Sequence, residues 1–176
     1  SNAGDVNGDG FDDVIIGASG ADLNGGRSGS SSVVFGKASG FSAAMDLSSL
    51  DGNNGFRLDG VAENDSSGGS VSNAGDVNGD GCGDIIVGAN GYNIGADQGR
   101  AYIYFGGSAM NNTADVILTG TSAGDEFGST VSSAGDVNGD GFGDVIVGAP
   151  GYLTEQGRAY IYYGGSSMNS SADVIL

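Results

Sequence analysis

Gly4-Asp5-Val6-Asn7-Gly8-Asp9-Gly10 is the stretch on which the reading of this chain turns, because the same seven residues return at 75–81 and at 135–141. Self-similarity at a fixed period signals a repeat architecture, in which one supersecondary unit is stacked several times. The intervals, 71 residues from 4 to 75 and 60 from 75 to 135, differ mainly because residues 37–60 are expanded. That insertion reads as a loop.

Every copy is followed by the same succession of signals. An apolar run comes first (13–18, 84–89, 144–149), then a glycine-rich turn, then a second run (32–35, 101–105, 159–163). In Ala101-Tyr102-Ile103-Tyr104-Phe105 the side chains alternate with the two-residue period of a strand. A third apolar segment, Asp115-Val116-Ile117-Leu118 and its partner Asp173-Val174-Ile175-Leu176, precedes the lead into the next Asp motif, starting at Phe127. The sum is four short antiparallel strands per repeat. A unit of about 60 residues cannot bury both faces of such a sheet alone, so neighbours must stack.

The fold class expected is therefore all-β, with about three β-propeller blades of four strands each. A sandwich is the alternative, but it does not require a long internal repeat. The repeats divide as 1–71, lacking its first strand and carrying the insertion 37–60, then 72–131, then an incomplete 132–176. Three blades leave the ring unclosed, and the open edges suggest either a longer protein or copies that associate to pair those edges.

Each Asp motif opens a loop with oxygen-bearing side chains at alternate positions. In the first, Asp5, Asn7, Asp9 and Asp13 occupy positions 1, 3, 5 and 9, glycine stands at 6, and the carbonyl of Phe11 is available at 7. The others are Asp76, Asn78, Asp80, Asp84 with the Cys82 carbonyl, and Asp136, Asn138, Asp140, Asp144 with the Phe142 carbonyl. Calcium takes six to eight hard oxygen ligands from such tight loops, whereas magnesium demands stricter octahedral geometry. An EF-hand would need Glu at position 12, but Ile16, Val87 and Val147 stand there, inside expected strands. Asp-Gly and Asn-Gly are also ordinary turn residues. Three loops with three carboxylates each would nevertheless repel without a cation, so about three calcium ions, one per repeat, are expected.

These residues resemble the FG-GAP repeats of the integrin α-subunit propeller and their bacterial relatives. Phe127-Gly128 before the third loop and Gly148-Ala149-Pro150 after it carry the resemblance most fully, while the second repeat has Ser67-Gly68 and Gly88-Ala89-Asn90, and the first Gly17-Ala18-Ser19. The resemblance implies that calcium lies in the hairpin between the first two strands of a blade. It also implies an extracellular or cell-surface setting, of bacterial type, and an adhesion module that binds a protein or glycan. An alternative is the non-catalytic propeller of a larger secreted enzyme.

Composition narrows the remaining choices. With 22 acidic and 5 basic residues the net charge is −17, which disfavours nucleic acid and anionic membranes as partners. A single cysteine allows no intrachain disulfide, and the absence of histidine removes Ser-His-Asp and Cys-His catalysis. No apolar run of membrane-spanning length occurs. Adjacent carboxylates such as Asp12 and Asp13 would point to opposite faces of a strand, so acid–base catalysis is not expected and the chain reads as a non-enzyme. Cys82 is read as filler, the tyrosines as packing between blades, and Arg100 and Arg158 as ion-pair partners of aspartates.

Overall fold

The computed structural model describes residues 1–92, 98–108, 110–153 and 156–176. They form three four-stranded antiparallel sheets. The first contains β1 (Asn2–Gly4), β2 (Asp13–Ala18), β3 (Ser30–Val34) and β4 (Gly55–Asp59). The second holds β5 (Ser70–Gly75), β6 (Asp84–Ala89), β7 (Arg100–Tyr104) and β8 (Val116–Thr119). The third consists of β9 (Thr130–Gly135), β10 (Asp144–Ala149), β11 (Arg158–Tyr162) and β12 (Val174–Ile175). Strands follow chain order across each sheet, so every connection is a hairpin, as in a propeller blade.

Three expectations need correction. The first sheet has its first strand: Asn2 and Gly4 pair with Val14 and Asp13. The third is complete in strands, because β9 starts at Thr130, two residues before the expected boundary. Residues 37–60 are not all loop. After a single helical turn, Leu47–Ser49, the segment ends in β4, whose Phe56 pairs with Val33 and Leu58 with Ser31. Gly-Phe-Arg-Leu-Asp alternates apolar and polar residues, and strand pairing exploits that pattern.

The sheets stack face to face and share two cores. Ile15, Val33 and Leu58 of the first sheet meet Ile85, Val87, Ala89, Tyr102 and Tyr104 of the second. From its other face, Ile86, Ala101, Ile103, Val116 and Leu118 meet Val145, Val147, Ala149, Tyr160 and Tyr162 of the third. Successive strand residues point to opposite faces, so β6, covered on both, is apolar from Ile85 to Ala89 and buried along its whole length. Phe127 sits in the second core with no exposed surface, its ring 5.4 Å from that of Tyr160 and 6.4 Å from that of Tyr162, both edge-on. The tyrosines therefore pack between sheets, as their alternation suggested.

The stack is close enough to dictate glycine. A Cβ on Gly88 would fall inside the contact radius of the Gly128 carbonyl oxygen in the next sheet, and one on Gly17 would meet that of Gly68. Arg100 and Arg158 do not take the role expected of them. Their guanidinium carbons lie 3.6 and 3.5 Å from the ring centroids of Tyr92 and Tyr152, so cation–π stacking replaces strand-to-strand ion pairing. Among the described residues the one ion pair recorded is Arg57 with Asp59, at 2.6 Å and well exposed.

Candidate metal loops

Each Asp motif forms the turn between the first two strands of its sheet: residues 5–12, 76–83 and 136–143. A bulge at Asn2/Gly4, Asn73/Gly75 or Asp144/Val145 breaks the ladder where the chain turns into the loop. Within it the backbone fixes the side chains. Asp5 accepts from the amides of Asp9 (3.0 Å) and Gly10 (2.8 Å), Asn7 Oδ1 from Asp9 N (3.0 Å), and Asp9 Oδ1 from Phe11 N (2.9 Å). The second loop repeats this pattern: Asp76 accepts from Asp80 and Gly81, Asn78 from Asp80, and Asp80 from Cys82. So does the third, with Asp136, Asn138 and Asp140 receiving the amides of Asp140, Gly141 and Phe142. Such bonds need a chain that folds back on itself, and glycine at position 6, with φ of 90°, 89° and 93° in Gly10, Gly81 and Gly141, supplies the left-handed residue.

The fifth member of each set is placed differently. Asp13, Asp84 and Asp144 are buried, and each clips its loop to the sheet. One carboxylate oxygen accepts from Val6, Val77 or Val137 in the loop, the other from Gly36, Gly106 or Gly164 at the end of the third strand, all at 2.7–2.9 Å. The acid at position 9 thus has a structural use of its own. Asn7, Asn78 and Asn138 meanwhile donate through Nδ2 to Asp9, Asp80 and Asp140 at 3.0, 3.0 and 2.7 Å. Among the described residues no three His, Cys, Asp or Glu side chains are arranged to hold a metal ion as they stand. The donors are all hard oxygens on a tight loop, the kind that calcium takes.

Side chains at position 7 do not enter their own loop. Phe142 covers Gly79 of the preceding loop, and Cys82 approaches Gly8. Phe11, with no loop before it, is exposed. Sequence reasoning missed a second set of acids: Asp115 and Asp173 accept from the amides of Phe105 and Tyr163, each at 2.8 Å. Asp65 and Asp125, both buried, accept the backbone amides that open the turn toward the next sheet. Their recurrence at one place in successive repeats was the available signal.

Burial pushes the Asp84 carboxyl up from near 3.8 to about 6, the charges of Asp80 and Asp76 adding to it while the Gly106 and Val77 amides oppose it. Asp13 moves in the same direction for the same first cause. A raised folded-state pKa means that the folded chain holds this proton more tightly than the unfolded one. Stability from this source is complete below the unfolded pKa and is lost as pH rises through the folded one. Without divalent cations, the contribution of Asp84 to the unfolding free energy is expected to fall by about 2 kcal/mol between pH 4 and 7, at about 1.4 kcal/mol per pKa unit. Urea unfolding across that range checks it, and a rise in stability with pH would contradict it.

The FG-GAP repeat family model matches residues 2–34, 67–104 and 127–162. The chain belongs to the FG-GAP repeat family. Each FG-GAP match ends at or beside the end of a third strand, at 34, 104 and 162, and so contains one Asp loop. Integrin alpha-5 of Xenopus laevis is 40% identical over 102 residues, covering 54% of this chain and 10% of the integrin. Mouse integrin alpha-IIb is 39% identical over 100 residues, 52% of this chain and 10% of its own length. Mouse phosphatidylinositol-glycan-specific phospholipase D is 38% identical over 122 residues, 61% of this chain and 14% of the enzyme. These FG-GAP relatives are thus matched over a small part of their own length, and they include both integrins and an enzyme.

Proposed function

We propose that this chain is a calcium-braced, extracellular β-propeller module for adhesion or for binding a protein or glycan, and that it is not itself catalytic. The observation that carries the calcium reading is the threefold Asx-turn loop, whose first aspartate is aimed by two backbone amides in the first copy and three in the others. Asp5, Asn7, Asp9, Asp13 and the Phe11 carbonyl would hold the first ion. Asp76, Asn78, Asp80, Asp84 and the Cys82 carbonyl would hold the second, and Asp136, Asn138, Asp140, Asp144 and the Phe142 carbonyl the third. The bond from the asparagine amide to the position-5 carboxylate would open as an ion entered. Calcium then acts structurally, offsetting the repulsion within each loop.

A larger secreted enzyme with this module as its non-catalytic part is the second reading, favoured by the match of 122 residues to a phospholipase D. The −17 charge supports partners other than nucleic acid, and among the described residues no helix is long and apolar enough to cross a membrane.

Thermal melts in excess EGTA, in calcium and in magnesium test the metal reading. A site held at a hundred times its dissociation constant adds about 2.7 kcal/mol. Calcium is expected to raise the melting temperature strongly and magnesium only slightly. The triple variant Asp5→Asn, Asp76→Asn, Asp136→Asn is expected to lose that response while keeping its circular dichroism. Equal melts under all three conditions would reduce the loops to turns.

A further inference from the structure

A cleft of about 430 Å³ lies between the first and second sheets, on the side of the Asp loops. The first loop at Asn7, the start of β4 and the connection from β7 to β8 wall it. Phe35, Phe56 and Met110, half-buried and packed on the first core, form its apolar part, the two rings 5.9 Å apart and tilted by 59°. Asn7, Arg57 and Asn112 bring polar side chains to it. Small-molecule sites are built this way, from an apolar lining with a few polar groups in a volume of this size.

Backbone bonds fix the walls. Gly107 donates to the Val6 carbonyl at 2.7 Å, tying the β7–β8 connection to the first loop, and Gly52 donates to Gly55 at 2.9 Å, closing the turn before β4. Arg57 is held by Asp59 through two bonds of 2.6 and 3.0 Å.

The repeats depart from one another at this place. Phe56, opposite Val33, stands in the register of Val116 opposite Ile103 and of Val174 opposite Ile161, and Arg57 in that of Ile117 and Ile175. Gly52 belongs to the insertion. A ring and a guanidinium thus replace an aliphatic pair in one repeat only. Packing demands neither, since valine serves twice at the first position and Arg57 is exposed.

Charge narrows the ligand. Among the described residues no carboxylate lines the cleft, so a cation would meet only the guanidinium. An anion would find that guanidinium already balanced by Asp59, on a chain of net charge −17. Arginine has five N–H donors, of which Asp59 takes two, and asparagine amides both donate and accept. Those groups suit hydroxyls, while the electron-rich ring faces suit the C–H face of a pyranose. We infer that this cleft binds one neutral sugar residue of a glycan, an assignment that rests on the glycan-binding reading proposed above and gives it a place and a charge class.

Methyl glucoside, methyl galactoside and methyl N-acetylglucosaminide are the neutral probes, with glucuronate and glucosamine as charged counterparts. Each is titrated into the calcium-supplied 176-residue chain and followed by calorimetry and saturation-transfer NMR. At least one neutral probe is expected to bind with a Kd of about 1 mM, the affinity proper to about a dozen heavy atoms, and both charged sugars about tenfold more weakly or worse. The double variant Phe56→Val, Arg57→Ile, which installs the residues of the other repeats, is expected to lose about tenfold in affinity or more while keeping its circular dichroism and its melt. Sugar binding that this variant removes supports the inference even where calcium fails to raise the melting temperature. No binding of any neutral probe at about 10 mM overturns it and leaves the protein-binding reading standing. Binding that survives the double variant overturns it too, since the glycan would then sit elsewhere, and so does tighter binding of either charged sugar.

Discussion

Phe127→Ala is expected to destabilise the chain by about 3–5 kcal/mol, the cost typical of deleting a fully buried ring. The ring has no exposed surface and contacts the edges of two tyrosine rings from the third sheet. Removing it deletes apolar burial and both aromatic pairs, and neither backbone beside it can collapse into the space, because Gly99 and Phe127 are joined in a bridge. Urea unfolding measures the loss, and a melting temperature lower by roughly 10 °C accompanies it at this chain length. A cost below about 1 kcal/mol would mean that the ring is not the anchor between the second and third sheets.

Gly88→Ala is expected to cost about 3 kcal/mol or more, at the upper end for overpacking. The added methyl would collide with the Gly128 carbonyl oxygen, a backbone atom that moves only if two sheets part. Gly148→Ala is the internal control. Its position in the third sheet is equivalent, yet the atoms a methyl would meet there are those of Thr130 in its own sheet, beginning with a hydroxyl that can rotate away. The control is expected to cost under about 1 kcal/mol. Similar losses at both positions would show that strand geometry, rather than the neighbouring sheet, selects glycine here.

The architecture was readable where physics leaves a strong local mark. β2, β6 and β10 span the runs 13–18, 84–89 and 144–149; β6 is covered on both faces and so needs apolar side chains on each, while β2 keeps the same pattern with Ile16, Gly17 and Ala18 exposed. β9, Thr-Val-Ser-Ser-Ala-Gly, left a weak mark since only Val131 and its small neighbours need to face a core. β4 hid within an insertion whose length suggested a loop. The loops were legible as a pattern of oxygens, but not the division of labour inside them. Position 9 satisfies two buried amides, a demand that exists only once the loop meets the third strand. Arg100 and Arg158 differ from expectation because so many aspartates make an ion pair the obvious guess, while the partner actually used is an aromatic face in the preceding turn.

Because each core is shared by two adjacent sheets and the middle sheet contributes to both, the stack has a preferred order of rupture under mechanical load. Tension applied across the three sheets is taken first by the first or the third, each of which shares a core with one neighbour among the described residues. Peeling it away leaves the remaining pair with its own core intact, as expected of a quasi-one-dimensional array. Extension would then proceed in discrete steps of about one repeat, and the middle sheet would yield last with whichever neighbour stays with it. The three-sheet array would thus lengthen in instalments rather than fail at once.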